Sequence, residues 1–310
     1  MSRGTNDSGL LVLSEEDVRR TLAMPAAIRD VADALARLSA GRARVPVRQA
    51  LDGDGGDVLF MPGRLDAPSR IGAKAVSVFP DNPEERDLPA VNAGVLLVDP
   101  ETGRPEALIA GNHLTAVRTG AGSGVATDRL AREDASVLAL FGAGAQARTQ
   151  LRAVAAVREL REVRVVSRTG TSARAFAREH DPGGGRLPEV RAAGDPADAL
   201  RGAEVVVTAT DSAEPVFDGR LVEPGAHVNA VGSYTPEMQE VDADLVTRAT
   251  VVVDHRASVL EEAGDLLVPI REGRFSPEEI HAEIGEVVSG ERPGRTAPDE
   301  ITLFESVGNV

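Results

Sequence analysis

The chain has 310 residues, a formal net charge of −15, no cysteine and only 3% aromatic residues. Disulfides, thiolate catalysis and cysteine-ligated metals are thereby excluded, and the acidic charge disfavours nucleic acid as a partner. No apolar run approaches the ~20 residues of a membrane span and no apolar signal segment opens the chain, so a cytoplasmic protein of two α/β domains, with no membrane contact, is expected.

Residues 1–9 are polar and expected to be disordered. Ser14 reads as an N-cap before Glu15, Glu16 and Asp17, and Pro25 restarts the helical pattern that Ile28, Val31, Leu35 and Leu38 carry onward. Strands are predicted at Val45–Val47, Val58–Met61 and Ile71–Phe79. Two more, Val91–Val98 and Pro105–Ile109, flank a hairpin turn at Asp99-Pro100-Glu101-Thr102-Gly103. His113–Leu130 reads as a helix linking this strand-rich part to the next.

The second half alternates strands and helices. Strands are predicted at Val137–Phe141, Val163–Ser167, Glu204–Ala209, His227–Val231 and Val251–Asp254, with helices at Ala145–Val157 and Thr171–Arg178. Their apolar runs lack strict alternation, as a parallel sheet covered on both faces requires. Asp181–Gly185 reads as a flexible break, 278–288 as helix, and Ile301–Phe304 as a last element returning to the first domain. The expected division is a substrate-binding and dimerisation domain over 1–118, with 290–310 returning to it, and a Rossmann domain over 119–289.

The run from Val137 to Ala147 is the most specific signal. An apolar strand ends at Phe141, Gly142-Ala143-Gly144 makes a tight turn, and Ala145, Gln146 and Ala147 open a helix. In this arrangement Gly142 permits the turn, Gly144 lets backbone approach a pyrophosphate, and Ala147 allows close helix packing against the strand. At the end of the next strand Ser167-Arg168-Thr169 replaces the carboxylate that would bind an adenosine ribose, which favours NADPH over NADH. Thr208-Ala209-Thr210 is expected to line the cofactor cleft, and Val231 and Gly232 to lie near the nicotinamide.

Lys74 sits within an apolar strand, where a charge is costly unless it faces a cleft. Arg118 projects from a helix of small residues just before the nucleotide motif, and Arg44 and Arg48 flank Val45-Pro46-Val47. Arginine suits a substrate carboxylate because its fork reaches both oxygens. His180, His227, His255 and His281 lack metal-ligand spacing and His113 suits capping or packing, so no metal is expected.

These segments resemble the ornithine cyclodeaminase/mu-crystallin family. The matching stretches are KAVSVFPDNP, DPETGRPEAL, GNHLTAVRTGA, LFGAGAQARTQL, VVVTAT, HVNAVGS, VVVD, IGEVVSG and ITLFESVG, and LTAVRTGA and ARTQL are closest to archaeal-type alanine dehydrogenases. The resemblance implies a Rossmann domain joined to an α+β domain that binds substrate and forms a homodimer. It places Lys74 as the catalytic lysine, Arg118 as the carboxylate-binding arginine and Arg48 as a second substrate arginine. It implies an NAD(P)H-dependent oxidoreductase of a small amino acid, 2-oxo acid or imine, of the alanine dehydrogenase or ketimine reductase kind. In cyclodeaminases the position of Tyr234 carries an aspartate that handles the substrate amine. Tyr234, with Glu237 or Glu240 as possible stand-ins, therefore sets this chain apart from an ornithine cyclodeaminase that recycles bound NAD, which is one alternative. A non-catalytic NADP-binding protein like mu-crystallin is the other. Relatives continue beyond the FESVG motif with a helix against the first domain, and the ending at Val310 bears on dimerisation.

Overall fold

The computed structural model describes residues 9–180 and 188–309. The polar segment before residue 9 and the break expected at Asp181–Gly185 lie outside the described residues.

The first part contains β1 (Leu11–Leu13), α1 (Glu15–Thr21), α2 (Met24–Ser39), β2 (Ala43–Arg44), β3 (Gln49–Gly53), β4 (Gly56–Asp66), β5 (Ser69–Val78), α3 (Asn82–Glu85), β6 (Val91–Val98), β7 (Pro105–Ala110) and α4 (Asn112–Leu130). Ser14 and Asp17 form the reciprocal cap that starts α1, and Pro25 occupies the first turn of α2. The strands make a seven-stranded sheet ordered β1-β7-β6-β5-β4-β2, with β3 also pairing with β4. The β6–β7 hairpin closes where Thr102 Oγ1 and the Glu101 N–H donate to the Asp99 carboxylate. No ladder runs through 45–48, where a strand is predicted. Pro46 has no N–H to donate, and the regular pairing of β2 stops at Arg44.

The second part contains β8 (Val137–Phe141), α5 (Ala145–Val157), β9 (Glu162–Val166), α6 (Gly170–His180), β10 (Glu189–Ala192), α7 (Pro196–Leu200), β11 (Val205–Thr208), β12 (His227–Ala230), α8 (Ala243–Val246), β13 (Thr250–Val253), α9 (Arg256–Glu262), α10 (Gly264–Arg271), β14 (Ala282–Glu283), α11 (Ile284–Ser289) and β15 (Thr302–Glu305). All eight strands are parallel, in the order β10-β9-β8-β11-β12-β15-β13-β14. Every residue of β8, β11, β12 and β15 is buried, which explains their unalternating sequences.

Three boundaries depart from expectation. The element at Ile301–Phe304 does not return to the first sheet: β15 inserts between β12 and β13 and completes the parallel sheet. The span 278–288 is not one helix, because Ala282 and Glu283 pair with β13 and α11 starts only after them, where the Glu286 carboxylate accepts from the Glu283 N–H at 2.7 Å. Finally, α4 runs unbroken through residues 118 and 119, so the expected boundary falls inside a helix. The apolar faces of α2, α4 and α11 share one buried cluster with Val252 and Phe304 of the parallel sheet. These three helices thus pack together on the parallel sheet.

Candidate active site

In β5 the side chains alternate between faces, so Lys74 shares its face with Val76 and stands across from Met61 and Val95. Val76 is buried, and this face turns inward. Burial, followed by the charges of Arg118 and Arg48, pushes the Lys74 amine down to about 6. Lys74 is also the only lysine in the chain, all other cationic side chains among the 34 Lys and Arg being arginine. That compositional signal marks the position independently of any motif.

Arg118, from α4, is held below its ordinary value, at about 10, by burial and by Arg48, with Asp254 acting in the opposite sense. Its Nε is buried without a partner. A glycine floor lies against the guanidinium: a Cβ at Gly308 would come within 2.5 Å of Arg118 Nη1. Asp254, at the end of β13, organises this floor by accepting from Ser306 Oγ at 2.8 Å and from the Gly308 N–H at 3.0 Å.

Arg48 is not an unoccupied fork. Its Nε and Nη2 donate to the two oxygens of Glu262, each at 2.8 Å, and Nη2 also donates to the Val307 carbonyl at 2.5 Å. Both side chains are only 10% exposed. Tyr234, half-buried in the loop after β12, has its hydroxyl pushed up by burial and then by Asp57, while Arg48 pulls it down. Arg48 is thus the common electrostatic neighbour of Lys74, Arg118 and Tyr234, although the four come from β5, α4, the 45–48 segment and the β12 loop.

The nucleotide motif folds as read. Gly142 has φ +112°, and a Cβ there would collide with the Ala209 carbonyl. Gly144 precedes α5 without a side-chain cap, so the first helical N–H groups are left for a ligand. A Cβ added at Gly144 would meet nothing within 4 Å, so the space beside the turn is open. Ala147 is fully buried, as its packing role requires. This cradle fits a dinucleotide pyrophosphate. Beyond β9, Arg168 and Thr169 are exposed, while Ser167 Oγ donates to the Thr169 carbonyl at 2.7 Å.

The threonine hydroxyls at the end of β11 point elsewhere than expected. Thr208 Oγ1 donates to Glu240 at 2.8 Å, and both the N–H and the Oγ1 of Thr210 donate to it at 2.6 Å. The Gly232 N–H adds a fourth bond at 2.7 Å. Glu240 thus ties the ends of β11 and β12 together instead of standing in for the missing aspartate, and Glu237 is exposed. Behind it Asp265, which accepts from the N–H groups of Glu240 and Val241, is pushed up to about 8 by burial and by Glu240. Glu305, both of whose oxygens are buried without a hydrogen-bond partner, is held well above the usual carboxylate range by burial and by Asp265. Sequence reasoning assigned no role to Glu262, Asp254, Asp265, Glu305 or Gly308. Among the described residues one group of carboxylates, Asp218, Asp242 and Asp244, brings ligand atoms within 4.8 Å of one another, and Arg220 and Arg274 pair with it.

The model of the ornithine cyclodeaminase/mu-crystallin family matches residues 10–309. The chain belongs to that family. It is 40% identical over 302 residues to a Δ1-pyrroline-2-carboxylate reductase of Bacillus cereus, covering 96% of this chain and 92% of that protein. Among solved structures it is similar to the Δ1-pyrroline-2-carboxylate reductase of Thermococcus litoralis in complex with NADH and L-proline. That match has a TM-score of 0.92 and 38% identity, and covers 96% of this chain and 92% of the other. An archaeal alanine dehydrogenase dimer with bound NAD matches with a TM-score of 0.89 and 34% identity, over 96% and 91% of the two chains. Family, α/β fold with a Rossmann unit, and an NAD(P) cofactor are thus as the sequence implies. No helix among the described residues is long and apolar enough to cross a membrane.

Proposed function

We propose that this protein reduces a small cyclic imino acid of the Δ1-pyrroline-2-carboxylate kind to the amino acid, with NADPH preferred as reductant. At the coarser level it is an NAD(P)-dependent oxidoreductase of amino acids or imines, like its relatives. The observation that carries the finer reading is the grouping of one amine lowered to about 6 with two arginines. Two cations suit an α-carboxylate, and the amine suits a proton transfer next to it.

Arg118, with Arg48, takes the carboxylate. Its negative charge lifts the Lys74 amine toward the protonated form, and Lys74 then places an N–H on the imine nitrogen or on a water beside it. Tyr234 donates a hydrogen bond from the opposite side. The dinucleotide, when bound, supplies the hydride to the imine carbon, while the nitrogen gains its proton from the protein side. The backbone of Gly142, Ala143, Gly144, Ala145 and Gln146 would hold its pyrophosphate, Ser167, Arg168 and Thr169 its adenosine end, and Ala209, Val231 and Gly232 its nicotinamide end.

The assembly proposed is a homodimer through the outer face of the first sheet. Along one register line, Val12, Leu108, Leu96, Ala73 and Pro62 lie side by side across β1, β7, β6, β5 and β4. All five are exposed, Leu108 by 46% and Val12 by 54%. An apolar stripe of that width is a surface for a second copy. We place the protein in the cytoplasm, where its reductant is regenerated.

The test is NADPH and NADH oxidation by the purified protein with Δ1-pyrroline-2-carboxylate, with pyruvate plus ammonia or methylamine, and with ornithine. Turnover of the cyclic imine is the expected result. Formation of proline and ammonia from ornithine with constant total NADH would replace this reading by a cyclodeaminase. Binding of NADPH without any turnover would replace it by a non-catalytic one.

A further inference from the structure

We infer that Glu262 is a positioning residue for the substrate: it grips one edge of Arg48 permanently and leaves Nη1 of that guanidinium to receive the carboxylate. The inference rests on the imine-reductase reading and specifies how its second arginine is held. Arg48 lies in the irregular segment between β2 and β3, where no backbone ladder fixes it. Its side chain is fixed instead from the parallel sheet's side of the molecule. Glu262 ends α9, and the Val307 carbonyl lies in the loop after β15 that Asp254 organises. A guanidinium carries five N–H groups in a plane. Nε and Nη2 are used by Glu262 and Val307, whereas Nη1 has no hydrogen-bond partner among the described residues.

A different role is conceivable, in which Glu262 occupies the receptor only until substrate displaces it. The surroundings oppose it. Displacement would leave the Glu262 carboxylate buried without its cation, next to Asp254 and Glu261, whose charges already act against its ionisation. Keeping the pair costs nothing on binding, and end-on use of Nη1 leaves the two-pronged grip to Arg118, whose Nε is free. Glu262 also offsets the charge of Arg48, one of the two arginines whose charges act on Lys74.

The test is a double-mutant cycle on the protein saturated with NADPH, using wild type, Glu262→Gln, Arg48→Met and the double variant, with KM and kcat for Δ1-pyrroline-2-carboxylate. Glu262→Gln is expected to raise KM about tenfold, the scale of one charge-assisted hydrogen bond. Arg48→Met should raise it at least as much, and the double variant should match Arg48→Met alone. Glu262→Asp should recover part of the loss, and NADPH affinity should not move. A fall in KM for Glu262→Gln would mean that Glu262 competes with substrate and would overturn the inference, as would full additivity with Arg48→Met. If the wild type reduces no imine, the same four proteins are compared by protection of Lys74 from reductive methylation, with pyrrole-2-carboxylate as the probe. Lys74 is the only lysine, so peptide mass analysis reads it directly. Unshifted protection in Glu262→Gln then overturns the inference, separately from the failure of the reductase reading.

Discussion

Replacing Lys74 with methionine should stabilise the protein while removing its activity. The amine is lowered from 10.5 to about 6 in the folded chain, so at pH 7 the folded state has given up a proton that the unfolded state keeps. Stability therefore rises with pH between those two values, since the unfolded state binds the extra proton throughout that window. At about 1.4 kcal/mol per unit, the buried amine costs the folded state about 5 kcal/mol at pH 7 and about 1 kcal/mol at pH 10. Methionine has a similar length and no charge to desolvate. Allowing for water entry and local relaxation around the lysine, the variant should gain at least about 2 kcal/mol in urea unfolding at pH 7. That gain should shrink toward zero at pH 10, and turnover should fall about a thousandfold, within the range of a lost proton donor. The same lowering can be read directly from the reductively 13C-methylated protein, in which Lys74 and the N-terminal amine are the only labelled amines. A Lys74→Met variant no more stable than wild type at pH 7, or more stable by the same margin at pH 10, would refute the account of a desolvated amine held between two arginines.

Gly144→Ala should leave urea stability within about 0.5 kcal/mol, since its Cβ meets nothing, yet raise the NADPH dissociation constant at least tenfold in a fluorescence titration. Gly142→Ala should instead cost at least about 2 kcal/mol in the same unfolding assay, because it forces a side chain onto a left-handed backbone and into the Ala209 carbonyl. Arg168→Ala should lower kcat/KM for NADPH about tenfold relative to NADH, the loss of one charge-assisted phosphate contact, in steady-state assays with both cofactors. Leu108→Glu, placed within the apolar stripe, should halve the mass seen by sedimentation without changing the far-ultraviolet circular dichroism.

What could be read from the sequence was local. The β8 turn and α5 fall where the pattern places them because an apolar strand, a glycine that must take positive φ and a helix start are all written within about a dozen residues. The β6–β7 hairpin is equally self-contained, since Asp99 caps its own turn. By contrast, the short apolar run at 301–304 carries no mark of which strands it joins. Its place between β12 and β13 follows from sheet closure, which periodicity does not encode. The 278–288 span misleads for a related reason. Its apolar spacing suits a helix, but two of its residues find a better partner in β13, and pairing outweighs propensity over so short a stretch.

The active-site residues divide along the same line. Lys74 and Arg118 stand out because each breaks its own local pattern: one is a charge in an apolar strand, the other an arginine on a helix of small residues. Arg48 fits no such pattern, and its partner Glu262 lies 214 residues away. The difference has a functional corollary. A residue that violates its surroundings must be held there by the site as a whole, so its identity announces the chemistry. A residue that satisfies them, as Glu262 satisfies Arg48, becomes visible only when the chain is folded. Thr208 and Thr210 illustrate the second case from the other side. Their hydroxyls look free beside a cofactor cleft, yet a buried carboxylate thirty or more residues later is a stronger claim on a donor than open solvent or a weakly held ligand. Buried acceptors such as Glu240 therefore have to be assigned first, and only the donors they leave over can be counted toward the cofactor or the substrate.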